Sequence, residues 1–236
     1  MERGQLITLA ARPSVGKSAL ALNLALEAAM LGAKVAYFSL EMTQNELMDR
    51  ILARITRTHA TRFKYANIQD SVLEWGFREL EAMPGKIMVE VPSGKNFSQI
   101  LRQAEFMHQH AGLDLLILDH IDLILEPIRR NENESSAIAR MTSSLKDFAN
   151  RKNSVVIALS QFNRESRGEM PEMHQLRGSG AKEQDSDVVL ILHRDTKDPD
   201  AVDFREARLR IAKNRNGQLG DIPLRFYPEF TYFEEL

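Results

Sequence analysis

The sequence contains no cysteine, which excludes disulfides and thiolate-bound metals. Its six histidines are scattered, with no ligand spacing on a shared face. His108 and His110, two positions apart on an expected helix, point in different directions. No apolar run approaches the roughly 20 residues needed to cross a bilayer, and the N-terminus lacks the charged, apolar and small-residue succession of a signal peptide. These absences predict a cytoplasmic chain with no membrane partner. Charge of one sign is missing too: a formal net charge of −2 gives no global attraction to nucleic acid, so any such binding must come from local basic loops. What is present suffices for one core. A chain of 236 residues with 43% hydrophobic and 27% charged residues fits one α/β domain, expected over residues 1–236. Composition alone leaves the function open.

Along the chain, apolar runs alternate with helical spacing. "QLITLA" (Gln5 to Ala10) reads as a strand ending in a turn, and "GKSALALNLALEAAMLGA" carries Leu20, Leu24 and Leu31 on a helical face. "KVAYFSL" (Lys34 to Leu40) reads as a second buried strand, and the next helix opens with Thr43 and Glu46 in the spacing of a capping box. "DSVLEWGFRELEAM" has helical spacing, with Trp75 and Leu80 expected as core anchors. "KIMVEV" is a strand, "FSQILRQAEFMHQH" a helix, and "LDLLILD" (Leu113 to Asp119) a near-continuous apolar strand of the kind buried on both faces of a parallel sheet. A polar and basic stretch, "HIDLILEPIRRNENE", then precedes the helix "SSAIARMTSSLKDFANRKN" and the strand "SVVIALS". A second polar stretch, "QFNRESRGEMPEMHQLRGSGAKEQD", precedes "SDVVLILH". Near the end, "EARLRIAKNRNGQLGDIPLRFYP" reads as two strands around Asn-Gly, a β-hairpin. The expected fold class is α/β: a mostly parallel sheet flanked by helices, closed by an antiparallel hairpin.

"AARPSVGKS" (Ala10 to Ser18) nearly fits the phosphate-binding pattern G-x-x-x-x-G-K-[ST], with Ala11 where the first glycine should stand. Ala11 is tolerable if its φ stays negative, since a left-handed conformation would cost it about 1–2 kcal/mol. In such a cradle backbone N–H groups at a helix N-terminus wrap the anion. Gly16 lets the backbone approach, Lys17 neutralises the terminal phosphates and Ser18 offers magnesium a hydroxyl. The candidate nucleotide contacts are Ala11, Arg12, Pro13, Ser14, Val15, Gly16, Lys17, Ser18 and Ala19. A cradle needs a metal-holding carboxylate, and Asp119 ends the strand "LLILD" as in a Walker B strand. Glu41 closes "VAYFSLE" and is not needed for capping, which frees it to orient and deprotonate water; a surface glutamate is the plainer alternative. Gln161 follows a buried strand, where a neutral amide can contact a γ-phosphate, although glutamine after a strand is also commonplace.

Taken together, "AARPSVGKSALALN", "FSLEM", "LLILDHIDL", "ALSQFNR", "LRGSGAKEQDSDVVLILHRD" and "IAKNRNGQLG" resemble, in order and approximate spacing, the RecA-like motor domain of DnaB-type replicative helicases. Ala-Arg-Pro at the cradle entrance is usual in that family. The resemblance implies a RecA-like P-loop NTPase using ATP and Mg2+, with Lys17 and Ser18 on phosphate and magnesium, Glu41 activating water, Asp119 holding the metal through water and Gln161 sensing the γ-phosphate. Lys213 and Arg215, in "KNRNG", match the basic pair that reaches a neighbouring subunit's ATP; the residues alone favour a solvated hairpin edge. "LRGSG" (Leu176 to Gly180) reads by itself as a flexible turn; by the resemblance Arg177, Gly178 and Gly180 would line the channel and hold the phosphates of single-stranded DNA, and Arg129 and Arg130 are either further phosphate contacts or surface charge. A homo-oligomeric, hexameric ring is implied, with a helicase loader and a primase as further partners. The alternatives are a RecA- or RadA-like recombination ATPase and a truncated, non-catalytic helicase-binding module. Two departures stand out: Asp119-His120-Ile121-Asp122 where the family usually has Asp-Tyr-Leu-Gln, and Arg177-Gly178-Ser179-Gly180 where it commonly has Arg-Glu-Ser-Gly. Because Met1 falls so near the first strand, the family's N-terminal collar domain and linker helix are expected to be absent.

Overall fold

The computed structural model describes residues 1–124, 134–162, 170–176, 179–194 and 205–236. A nine-stranded sheet forms the centre, with strand order β3-β2-β4-β5-β1-β6-β7-β8-β9. β1 (Leu6–Ala11), β2 (Lys34–Ser39), β3 (Lys86–Glu90), β4 (Leu115–Asp119), β5 (Val155–Gln161) and β6 (Val188–Arg194) pair parallel to one another. Every residue of β1 is buried, because helices cover both faces of the sheet around it and no position alternates to solvent.

The strands' two-residue period sorts their side chains into two cores. Ile7, Leu9, Val35, Tyr37, Leu115, Ile117, Ile157 and Leu159 face one side, against α1 (Lys17–Met30) and α2 (Gln44–Thr56). Leu6, Ala36, Phe38, Leu116, Leu118, Val156 and Ala158 face the other, where α5 (Phe97–Ala111) and α6 (Glu134–Lys152) supply Ile100, Met107, Leu145 and Phe148. The expected capping box is present at α2: Thr43 Oγ1 accepts from Glu46 N–H, and Glu46 accepts from Thr43 N–H.

β7 (Glu206–Asn214), β8 (Gly220–Tyr227) and β9 (Tyr232–Glu235) extend the sheet antiparallel. The expected hairpin is therefore present, but residues 215–219 connect it rather than a two-residue Asn-Gly turn. Among the described residues, the elements not expected from the sequence include α3 (Ala60–Lys64), α7 (Ser179–Asp185) and β9. Each is short, and β9 exists by pairing with β8 and by docking on α1 through Asn23, which donates to Thr231 O at 3.1 Å and accepts from Phe233 N–H at 2.7 Å.

Trp75 is a correction. On α4 (Asp70–Ala82) it is 41% exposed, and its indole N–H donates to Glu79 at 3.1 Å. α4 meets α2 through Gly76 instead, where an added Cβ would lie 2.9 Å from Leu52 Cδ2. That approach leaves no room for the indole on the same face. Leu80 does pack against the core.

Phe148, wholly buried under the sheet, tests the second core. Phe148→Ala is expected to lower unfolding free energy by about 3–5 kcal/mol in urea titrations; a loss below about 1 kcal/mol would show that this face is not packed as described.

Candidate functional site

Parallel strands that stop at the same level gather their ends into one rim. The register pairs Ala11 with Gln161 and Ser39 with Asp119, so the segments after β1, β2, β4 and β5 emerge side by side. Ligands of open α/β sheets bind at such carboxyl ends. Here they border a cavity of about 350 Å³ lined by Arg12, Pro13, Ser14, Gly16, Lys17, Ser18 and Ala19 of the first loop and helix, with Glu41 and Gln161 across from them.

The loop is shaped for backbone approach. Ser14 has φ 64°, and Gly16 has φ 110° at the start of α1. Phe233 of β9 closes over Gly16, leaving an added Cβ only 2.9 Å from its ring, so glycine is required there by conformation and by space. Ala11 is the last residue of β1 and is not among the positive-φ residues, so it stands at the loop entrance without the left-handed strain that would demand glycine.

Lys17 lies on the buried face of α1, 6% exposed, and its Nζ has no hydrogen-bond partner. Burial lowers its pKa, opposed by the carboxylates of Asp119, Asp122 and Glu41. Asp119 is wholly buried; Tyr37 Oη donates to its Oδ2 at 2.7 Å, while Oδ1 is without a partner. A buried ammonium and a buried carboxylate oxygen, each lacking a partner, fit a phosphate and a hydrated cation. Among the described residues no group of three or more His, Cys, Asp or Glu is arranged to hold a metal ion by itself. A hydroxyl such as Ser18's plus one carboxylate suits Mg2+, which keeps several waters and takes the rest of its shell from phosphate.

Behind this pair lies a network that the sequence did not disclose. His120 is 4% exposed, with Nε2 3.6 Å from Glu41 Oε2, 3.3 Å from Gln161 Nε2, and Nδ1 3.5 Å from Asp122 Oδ2. Asp122 accepts from Gln161 N–H at 2.7 Å, from Ser160 Oγ at 3.1 Å and from the ammonium of Lys182. Burial alone would raise the Asp122 pKa; the imidazole of His120 beside it, the charge and hydrogen bond of Lys182 and the Gln161 N–H outweigh it and hold the carboxyl well below the usual carboxylate range.

Arg50, Arg194, Phe226 and Thr231 also line the cavity and were missed as site residues. Arg194 ends β6, donating from Nε to Val15 O at 3.2 Å and from Nη2 to Ser14 O at 3.3 Å, with its guanidinium 4.6 Å from the Phe226 ring centre. Its position at the end of a parallel strand, in "LILHRD", was the available signal.

Lys213 and Arg215 lie outside this cavity. Lys213 Nζ donates to the carbonyls of Glu183 and Ser186, and Arg215 donates to Gln184 O at 2.7 Å and to Asp187 Oδ1 at 3.2 Å. Gly180 is exposed on α7, and an added Cβ would meet nothing within 4 Å. Arg129, Arg130, Arg177 and Gly178 lie outside the described residues.

The sequence matches the family described as "DnaB-like helicase C terminal domain" over residues 1–235. The chain belongs to that family. It is 33% identical to the replicative DNA helicase DnaC of Bacillus subtilis (strain 168) over 245 residues, covering 100% of this chain and 53% of that protein. It is 34% identical to the replicative DNA helicase DnaB of Geobacillus stearothermophilus over 246 residues, with the same coverage. A solved structure described as "The Structure Of A DnaB-Like Replicative Helicase And Its Interactions With Primase" superposes with a TM-score of 0.84 at 28% identity, covering 98% of this chain and 59% of that one. The chain thus spans about half the length of the curated relatives it matches. The DnaB-like family favours neither the recombination ATPase nor the non-catalytic binding module. Among the described residues no helix is long and apolar enough to cross a membrane.

The depressed Asp122 carboxyl gives this DnaB-like domain a pH signature. Its contribution is fully present above the unfolded carboxylate value of about 4 and is lost as pH falls through the lower folded value. Asp122→Asn is expected to cost about 3 kcal/mol at neutral pH, with the gap to wild type shrinking between about pH 4 and pH 2.5 in urea titrations. A gap constant over that range would contradict the ion-pair account.

Proposed function

We propose that this chain is the ATP-hydrolysing motor of a replicative DNA helicase. The observation that carries the reading is the buried Lys17 ammonium, without a partner, beside the equally unpartnered Oδ1 of Asp119 at the mouth of a glycine-pinned loop. The loop's backbone and Lys17 bind the β- and γ-phosphates of ATP, and Gly16 permits the close approach. Ser18 and Asp119 hold Mg2+, which when bound neutralises charge on the phosphates. Glu41 orients the attacking water and accepts its proton while the bond from the γ-phosphorus to the bridging oxygen breaks and its electron pair leaves with ADP. His120, 3.6 Å from Glu41, holds that carboxylate toward the cavity. Gln161 reads the γ-phosphate by its amide.

The trans-acting part falls to Lys213 and Arg215, which serve the ATP of a neighbouring subunit. The assembly they belong to is a hexameric ring on single-stranded DNA, held at the phosphates by Arg177, Gly178, Gly180, Arg129 and Arg130. Such contacts are sequence-independent and weaken with salt. A primase and a helicase loader are further partners of this reading, the first supported by the primase-interaction structure among its relatives.

The test is ATPase rate with and without single-stranded DNA across protein concentration. Stimulation by DNA and a steep concentration dependence are expected; an appreciable rate independent of concentration would overturn a site shared between subunits. Glu41→Gln is expected to lower kcat by about 10²–10⁴-fold, and wild-type turnover in that variant would remove it as the base. Mixing Lys17→Ala with Arg215→Ala protein is expected to restore part of the activity that each lacks, and no recovery in any proportion would refute the trans-acting role.

A further inference from the structure

Lys182 is a charged side chain that is wholly buried, 0% exposed, in the middle of α7. Its ammonium donates to Asp122 Oδ1 at 2.5 Å and to Ser160 Oγ at 2.7 Å. Asp122 in turn accepts the backbone N–H of Gln161 at 2.7 Å, and the Gln161 side chain borders the nucleotide cavity. A single side chain from α7 therefore ends on Ser160 of β5 and on Asp122, the two groups that adjoin or bond the cavity-lining Gln161. A buried ion pair is seldom more stable than an apolar pair of equal volume, so stability does not account for a lysine here. Fixing position does.

The C-terminal end of the same helix carries a second set of ties. Lys213 donates to Glu183 O and Ser186 O, and Arg215 to Gln184 O and Asp187 Oδ1. Thr142 on α6 donates to Asp185 Oδ2 at 2.5 Å. α7 is thus pinned at its centre to the cavity rim and at its end to the basic pair.

We propose that Lys182 is a positioning residue: through Asp122 it fixes α7 to Gln161, so that occupancy of the nucleotide site is transmitted to α7 and to the set of Lys213 and Arg215. This rests on the reading of the cavity as an ATP site. The device has two ends and one rigid connection, and the coupling it carries is reciprocal.

The test is amide hydrogen exchange of residues 179–185 in the full chain, with and without a non-hydrolysable ATP analogue and Mg2+. In wild type the analogue is expected to slow exchange there by about fivefold. In Lys182→Met the analogue still binds, KM for ATP stays within about twofold, kcat falls about tenfold, and the exchange ratio drops to about one. Lys182→Arg, which keeps the cation, is expected to restore part of the ratio. A merely structural lysine would raise exchange equally in both states and leave the ratio near fivefold, which would overturn the proposal. Should Lys182→Met fail to fold, Ser160→Ala, which keeps both charges, carries the test: a reduced ratio supports the link and an unchanged one overturns it. An exchange response without any ATPase would leave the link standing and remove the motor reading. ATPase without an exchange response in wild type would do the reverse.

Discussion

An ammonium held out of water with no hydrogen-bond partner is costly, and the rim of this sheet is arranged around one. Lys17 is buried because it opens α1, whose other residues fill the core beside β1, and the helix cannot turn it outward without exposing Leu20, Leu22 and Leu26. Three carboxylates partly offset its burial, and two of them, Asp119 and Asp122, are themselves shielded from water while Glu41 is open to it. The charge pattern at this rim fits the phosphate and cation of the proposed function. Core packing on α1 and the burial of its first residue are two consequences of the same helix placement.

Around that pair, the sheet rim works as one connected network of polar groups. Ser160 and Gln161 come from β5, Lys182 from α7, and Glu41, His120 and Asp122 from the short segments that follow β2 and β4. Low-dielectric surroundings strengthen each contact and penalise any that is broken. Its cation comes from a helix of seven residues that sits next to the segment assigned to DNA by resemblance. The basic pair Lys213 and Arg215 is anchored on the far end of that helix.

Much of this was legible beforehand, for physical reasons. Two-residue and 3.6-residue hydrophobic periods located β1 to β6 and most of the long helices, since burial on both sheet faces leaves continuous apolar strands. The loop around Gly16 and Lys17 and the strand-terminal Asp119 were visible because their chemistry needs fixed local spacing. Trp75 misled because helical spacing identifies an apolar face but not whether a neighbour approaches too closely to admit an indole; Gly76 took that contact. Arg194 and Phe226 were passed over because they join the cavity only through strand pairing and the return of β8 and β9 across α1.

Asp122 marks the boundary. From the sequence it is an extra acid after the strand "LLILD", in place of a usual glutamine and close to the channel loop that the resemblance implies. Lys182, equally, was one lysine in a polar stretch between strands. Sequence determined what is encoded within a single element: the strand and helix order, the phosphate loop, and the residues that end each strand, because periodicity and local turn chemistry depend on near neighbours. Only the tertiary structure decided that Lys182 reaches Asp122 across an interval of 60 residues, and that Phe233 seals Gly16, because such contacts follow from sheet register and helix docking and leave no local trace.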